Sequence, residues 1–302
     1  MTTASSLRTT ITRIFLSPEE PRLRAGWRLL AQFILLLVIT SIIGIPFTIL
    51  YFIVPAIDLF LLNIIISSFA IPISVYIARR FIDRRSFVSL GFHWDTQALK
   101  DILVGFWIAG AMMGVIFLVE LEAGWLEVQG PGWEGKSAVK FLSTLLIWCF
   151  IFLVVGFYEE LQSRGYRLQN IEAGTNIPIA VLLSSFIFGL EHMINPNVWW
   201  AALLGITIAG LFLAYTYLRT RQLWLPIGLH IGWNIFEGLV FGFPVSGIQL
   251  PGLIKHQVNG PDYFTGGLFG PEAGLVLLPG ICIGVLLVFW YTQHRIPDKD
   301  NE

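Results

Sequence analysis

Val139-Lys-Phe-Leu-Ser-Thr-Leu-Leu-Ile-Trp-Cys-Phe-Ile-Phe-Leu-Val-Val-Gly-Phe-Tyr158 is followed directly by Glu159-Glu160-Leu-Gln-Ser-Arg164-Gly-Tyr-Arg167. The first twenty residues match the length needed to cross a hydrocarbon core of about 30 Å. Similar apolar runs occur along the chain, and spans are predicted at 28–53, 56–79, 101–120, 139–158, 177–193, 198–218, 222–242 and 272–292. The composition agrees: 55% of the 302 residues are hydrophobic and 13% are charged, against about 25% charged in an ordinary soluble domain. The expected fold is all-α, a polytopic membrane protein of about eight transmembrane helices embedded in the lipid bilayer. A formal net charge of −1 argues against a nucleic-acid partner, which would meet a strongly basic face.

Loop charges orient the spans. Arg8, Arg13, Arg22, Arg24 and Arg28 precede span 1; Arg79, Arg80, Arg84, Arg85 and Lys100 follow span 2. Arg164 and Arg167 follow span 4, and Arg219 and Arg221 separate spans 6 and 7. The alternate loops are poor in Lys and Arg, so both termini are expected in the cytoplasm. The first 26 residues are polar and Arg-bearing, so span 1 is expected to be retained rather than cleaved as a signal. The segment around Leu7, Ile11, Ile14 and Phe15 suits either a helix on the cytoplasmic leaflet or a disordered basic terminus. Cys149 and Cys282 lie in apolar runs and read as small buried hydrophobes. The pairs Gly228…Gly232 and Gly280…Gly284 permit close helix packing. Three regions are expected: 1–138 with spans 1–3, a core over 139–247 with spans 4–7, and 248–302 with an outer loop, span 8 and a short tail.

Ionisable groups within apolar spans are expensive and mark functional sites. Glu159 and Glu160 read either as a helix end paired with Arg164 and Arg167, or as buried groups. His192 ends span 5, and His230 and Asn234 lie four apart on one face of span 7. If helix 4 continues to about Gln169, a rise of 1.5 Å per residue places Glu159 about 15 Å deep. The same rise gives about 22 Å for His192, 12 Å for His230 and 18 Å for Asn234. A cavity among helices 4, 5 and 7, opening to the cytoplasm, is therefore expected. Spans 1–3, 6 and 8 are expected to be nearly free of buried charge, which weighs against a transporter or proton channel.

Peptide hydrolysis needs a base for water and donors for the oxyanion. Glu159 with His192 suits the first task; His230 and Asn234 suit the second. Arg164, one turn after Glu160, suits a charged hydrogen bond to it. A zinc alternative uses Glu159, His192 and His230 as ligands, with a water in the open position. The compact H-E-x-x-H spacing is lacking, which favours the metal-free arrangement. No other cofactor is expected.

These motifs resemble the CPBP intramembrane proteases, which include CAAX prenyl endopeptidases and Abi-type proteins. The family pattern E-E-x-x-x-R, F-x-x-x-H, H-x-x-x-N/D stands here as Glu159-Glu160…Arg164, Phe188…His192 and His230…Asn234. Gly165-Tyr166, Asn195-Pro196-Asn197 and Leu223-Trp224-Leu-Pro226-Ile-Gly228 extend the likeness over about residues 140–247. Ser163 departs from it, where many members carry a large aromatic residue. The resemblance implies Glu159 as the water-activating base paired with His192, His230 and Asn234 as the oxyanion site, and Glu160 and Arg164 as architectural support. It implies an endopeptidase, in a bacterial plasma membrane, acting on membrane-associated proteins or peptides. A non-catalytic adaptor or immunity-type protein is the rival reading.

Overall fold

The computed structural model describes residues 14–17, 22–53 and 59–295. The amphipathic reading of the N-terminus therefore falls largely outside the described residues, as does the tail beyond Arg295. The described chain forms helices α1 Ala25–Ile53, α2 Leu59–Ile77 and α3 Thr96–Glu122, strand β1 Leu126–Pro131, and helix α4 beginning at Ala138. Helices α5 Ile177–Glu191, α6 Trp200–Thr220 and α7 Trp224–Asn234, strand β2 Ile254–Val258 and helix α8 Leu277–Thr292 follow. β1 and β2 pair antiparallel in a two-stranded ribbon, with an irregularity between Val128 and Gly130.

By length and composition, six of these helices are apolar enough to cross a membrane: α1 to α6, with α2 extended to Ile82, α4 to Gly174 and α5 to Ile194. The chain is a polytopic helical membrane protein. The two remaining predicted spans are shorter helices. α8 has 16 residues rather than a full crossing from 272. Pro271–Ala273 forms a separate 3-10 turn instead, and the extended Gly274 interrupts the helix. α7 has 11 residues and continues in π-helical form over Ile235–Phe241.

Local chemistry sets several helix starts. The Asp95 carboxylate accepts from the Ala98 N–H at 2.8 Å and caps α3, and Asn176 caps α5 through the Ile179 N–H. Each cap satisfies a donor that the first helical turn leaves orphaned. α7 lies along α3, and the small residues allow it. A Cβ on Gly228 would stand 2.2 Å from the Ile102 carbonyl oxygen, and one on Gly232 would stand 2.6 Å from that of Phe106. Gly280 and Gly284 similarly admit Ile116 and Met112 of α3 against α8. Gly228→Ala must push the two helices apart, at an expected cost of about 1–3 kcal/mol. A denaturant titration in detergent checks this, and an unchanged midpoint would contradict the close contact.

Buried charge is more widespread than expected. Arg28, Arg79 and Asp83 gather with Tyr166, whose hydroxyl donates to Asp83 at 3.2 Å, tying α1 and α2 to α4. Asp101 at the start of α3 accepts from Arg295 and Tyr291 and fastens the end of α8. Glu120 is wholly buried near the other end of α3. Spans 1–3 therefore do take part in buried ionic contacts, and Tyr291 of span 8 bonds the carboxylate of one of them. Averaged hydropathy hides them because most lie at helix ends with partners from other helices. Cys149 is half-buried and Cys282 is exposed on α8, so the expected burial of Cys282 does not hold.

Candidate active site

α4 does not stop at Tyr158. It runs Ala138–Glu160, widens into a π-helix over Leu161–Leu168, and closes as an α-helix over Gln169–Gly174. The expected extension past the carboxylates is thus present and reaches beyond Gln169. All eight π-helical residues are buried; such segments recur at functional sites. Glu159, Gln162 and Ser163 face a cavity. Glu160 and Arg164 stand behind them, each almost wholly buried. Arg164 Nη1 donates to Glu160 Oε1 at 2.8 Å, Nη2 donates to the Gly210 carbonyl at 3.0 Å, and the guanidinium lies 4.4 Å over the Phe188 ring.

The two histidines converge on Glu159 from α5 and α7. His192 Nε2 lies 3.8 Å from Glu159 Oε2, and His230 Nε2 lies 3.7 Å from the same atom. Each imidazole is held by its other nitrogen. His192 Nδ1 donates to the Phe188 carbonyl at 2.8 Å, since a carbonyl only accepts. His230 Nδ1 meets Glu160 Oε1 at 2.8 Å, the oxygen that Arg164 also contacts. Both rings therefore turn Nε2 toward Glu159. Side-chain exposures of 21% for Glu159, 15% for His192 and 9% for His230 leave all three reachable from the cavity.

That cavity, of about 340 Å³, also receives Asn234, one turn beyond His230. The residues singled out from the three motifs therefore do come together. The walls extend further than helices 4, 5 and 7: Leu36 of α1, Asn63 and Ser67 of α2, and Ala209 and Phe212 of α6 contribute. Glu160 is drawn more closely into the site than an architectural role requires, because it orients His230 directly.

The zinc alternative fits poorly. Ligand atoms around a tetrahedral zinc, with bonds of about 2.0–2.1 Å, stand about 3.3 Å apart, closer than both pairs here. Among the described residues, no group of three His, Cys, Asp or Glu side chains is arranged to hold a metal ion.

Two contributions were not foreseen, one of them from a motif residue. Phe188 supplies both the carbonyl for His192 and the ring under Arg164. Glu272 enters the cavity wall from beyond the motifs, with Ser246 and Trp233 bonded to it. In sequence Glu272 marked only the edge of a predicted span, where a charge reads as interfacial. Its partners are distant in the chain and carry no spacing signature.

Residues 141–236 match the family described as type II CAAX prenyl endopeptidase Rce1-like. A protein of Bacillus subtilis (strain 168), described as "Putative membrane peptidase YdiL", is 28% identical over 171 residues. The alignment covers 55% of this chain and 64% of that protein, so the chain spans less than two thirds of that relative. No solved structure matches significantly.

Proposed function

We propose that this chain is an intramembrane endopeptidase using Glu159 as its base, a reading supported by the match of residues 141–236 to the type II CAAX prenyl endopeptidase Rce1-like family. The observation that carries the reading is the placement of one carboxylate oxygen between two imidazoles. Glu159 Oε2 accepts no hydrogen bond from a described residue, and both Nε2 atoms face it at 3.7 and 3.8 Å. Those separations are too long for direct hydrogen bonds and suit a bridging water.

In the proposed reaction, Glu159 takes a proton from that water as its oxygen attacks the scissile carbonyl carbon. His192, neutral with its proton on Nδ1, accepts the remaining water hydrogen at Nε2 and orients the attack. The carbonyl oxygen gains the electron pair and accepts from Asn234 Nδ2–H. His230 adds a second donor at Nε2 as the imidazolium, a state favoured by the carboxylate of Glu160 at Nδ1. Glu159 then returns its proton to the amide nitrogen as the C–N bond breaks, leaving a new carboxyl and a free amine. The proposed substrates are membrane-associated peptides or proteins, whose apolar segments suit the Phe, Ile and Leu side chains of the cavity wall. The Lys and Arg bias of the alternate loops supports a cytoplasmic side for both termini.

The test is cleavage of a panel of membrane-anchored peptides by the purified protein in liposomes, run in ¹⁸O-labelled water. One ¹⁸O should enter the new carboxyl, His192→Ala should lower turnover about 100-fold or more, and a chelator should leave it unchanged. Turnover that persists in His192→Ala would remove the imidazole from the mechanism. A folded wild type that cleaves no peptide, yet retains one in pull-down equally well with or without His192, would favour the adaptor reading.

A further inference from the structure

Two groups that line the cavity but take no part in the reaction above, Trp233 and Ser246, both bond Glu272. This residue belongs to the 3-10 turn Pro271–Ala273, outside the matched segment, and is 5% exposed. Its Oε2 accepts from both the Ser246 N–H at 2.8 Å and the Ser246 hydroxyl at 2.6 Å, while Oε1 accepts from Trp233 Nε1 at 3.2 Å. Trp233 precedes Asn234 and follows His230 by three residues, so one end of this contact grips the helix that carries both groups.

The other end reaches His192. Ser246 is held in the left-handed region, at φ +47, a conformation that costs a non-glycine residue about 1–3 kcal/mol unless its surroundings fix it. In that conformation its carbonyl accepts from Asn195 Nδ2 at 3.3 Å, and the Gly247 carbonyl accepts from Asn197 Nδ2 at 2.9 Å. Asn195 and Asn197 lie just past the 3-10 turn His192–Ile194. The packing leaves no slack. A Cβ on Gly247 would stand 1.9 Å from the Pro196 carbonyl oxygen, and one on Gly205 of α6 would stand 1.7 Å from that of Glu272.

We propose that Glu272 is a positioning residue for the proposed peptidase: through Trp233 and Ser246 it fixes the distance between His192 and His230 across Glu159. It rests on the reading of this cavity as a protease site. Glu272 holds the groups that hold the reacting atoms, and a displacement of about 1 Å at such a site can cost 100-fold in rate.

The experiment compares wild type, Glu272→Gln, Glu272→Ala, Ser246→Ala and the double Glu272→Ala/Ser246→Ala, each as the monodisperse full-length protein in liposomes. Glu272→Ala should lower kcat about 100-fold with KM within threefold, and Glu272→Gln, which still presents an acceptor oxygen, should recover at least a tenth of the wild-type kcat. The double variant should fall no further than Glu272→Ala, because both changes open the same contact. An independent readout needs no turnover: the rate of diethyl pyrocarbonate modification at His192, followed by mass spectrometry. It should rise severalfold in Glu272→Ala and stay near wild type in Glu272→Gln. Unchanged kcat per folded molecule, additive losses, or unchanged His192 reactivity would each overturn the proposal. A folded wild type that cleaves no peptide, alongside increased His192 reactivity in Glu272→Ala, would overturn the protease reading and leave the positioning contact standing.

Discussion

On the proposed reaction, Glu159→Gln should lower kcat/KM about 10,000-fold, the upper end of what a positioned general base supplies, while the protein should unfold near the wild-type midpoint. Glutamine keeps the shape of the side chain and an acceptor oxygen but cannot take a proton at neutral pH. Stability is spared because Oε2 of Glu159 accepts no hydrogen bond from a described residue. Removing a charge from a cavity walled by Phe152, Ile206 and Leu213 relieves a desolvation cost that offsets the lost attraction to His230, 3.7 Å away. Such a trade of activity against stability is typical of groups held for chemistry. The measurement is turnover together with an unfolding titration on the same preparation. Activity above a tenth of wild type would place the base elsewhere.

The second large effect falls on stability. Arg164→Met should lower the unfolding free energy by about 3–5 kcal/mol, the usual loss when one partner of a buried ion pair is removed. Arg164 and Glu160 side chains are 1% and 0% exposed, and the guanidinium also binds the Gly210 carbonyl and covers Phe188. Its loss leaves the Glu160 carboxylate with His230 as its remaining hydrogen-bond donor. The double variant Glu160→Gln/Arg164→Met should regain much of the stability, because no uncompensated charge is left behind. It should not regain activity, because a neutral amide supports an imidazolium at His230 far less well than a carboxylate does. Equal stabilities for the single and double variants would show that the charge left on Glu160 is not the source of the loss.

The motif residues were legible in sequence because membrane burial makes each of them costly. Glu159, Glu160, His192, His230 and Asn234 interrupt apolar runs, and their helical spacing fixes which face each occupies. Continuation of α4 past Tyr158 was legible only through the joint depth of the three motifs. Hydropathy alone ends that helix early, since the π-helical Leu161–Leu168 is polar yet buried within protein. Helix-end ion pairs such as Asp101–Arg295 escaped because they join residues nearly two hundred positions apart. Glu272 escaped for a related reason: its meaning lies in Trp233 and Ser246, which no local period connects to it. The start of α8 was misplaced because a window average does not register the glycines on either side of Pro271–Ala273.

The α-helical part of α5 has fifteen residues, about 22 Å at 1.5 Å each, and the 3-10 turn carrying His192 completes the stretch to Ile194. The side-chain amides of Asn195 and Asn197, just past that turn, are met by the carbonyls of Ser246 and Gly247, about fifty residues later. During synthesis the hairpin of α5 and α6 therefore emerges before the segment that shelters its tip. The turn carrying His192 acquires its final partners only when residues 244–273 have been made and folded back. A chain built this way completes the surroundings of His192 from its carboxy-terminal side.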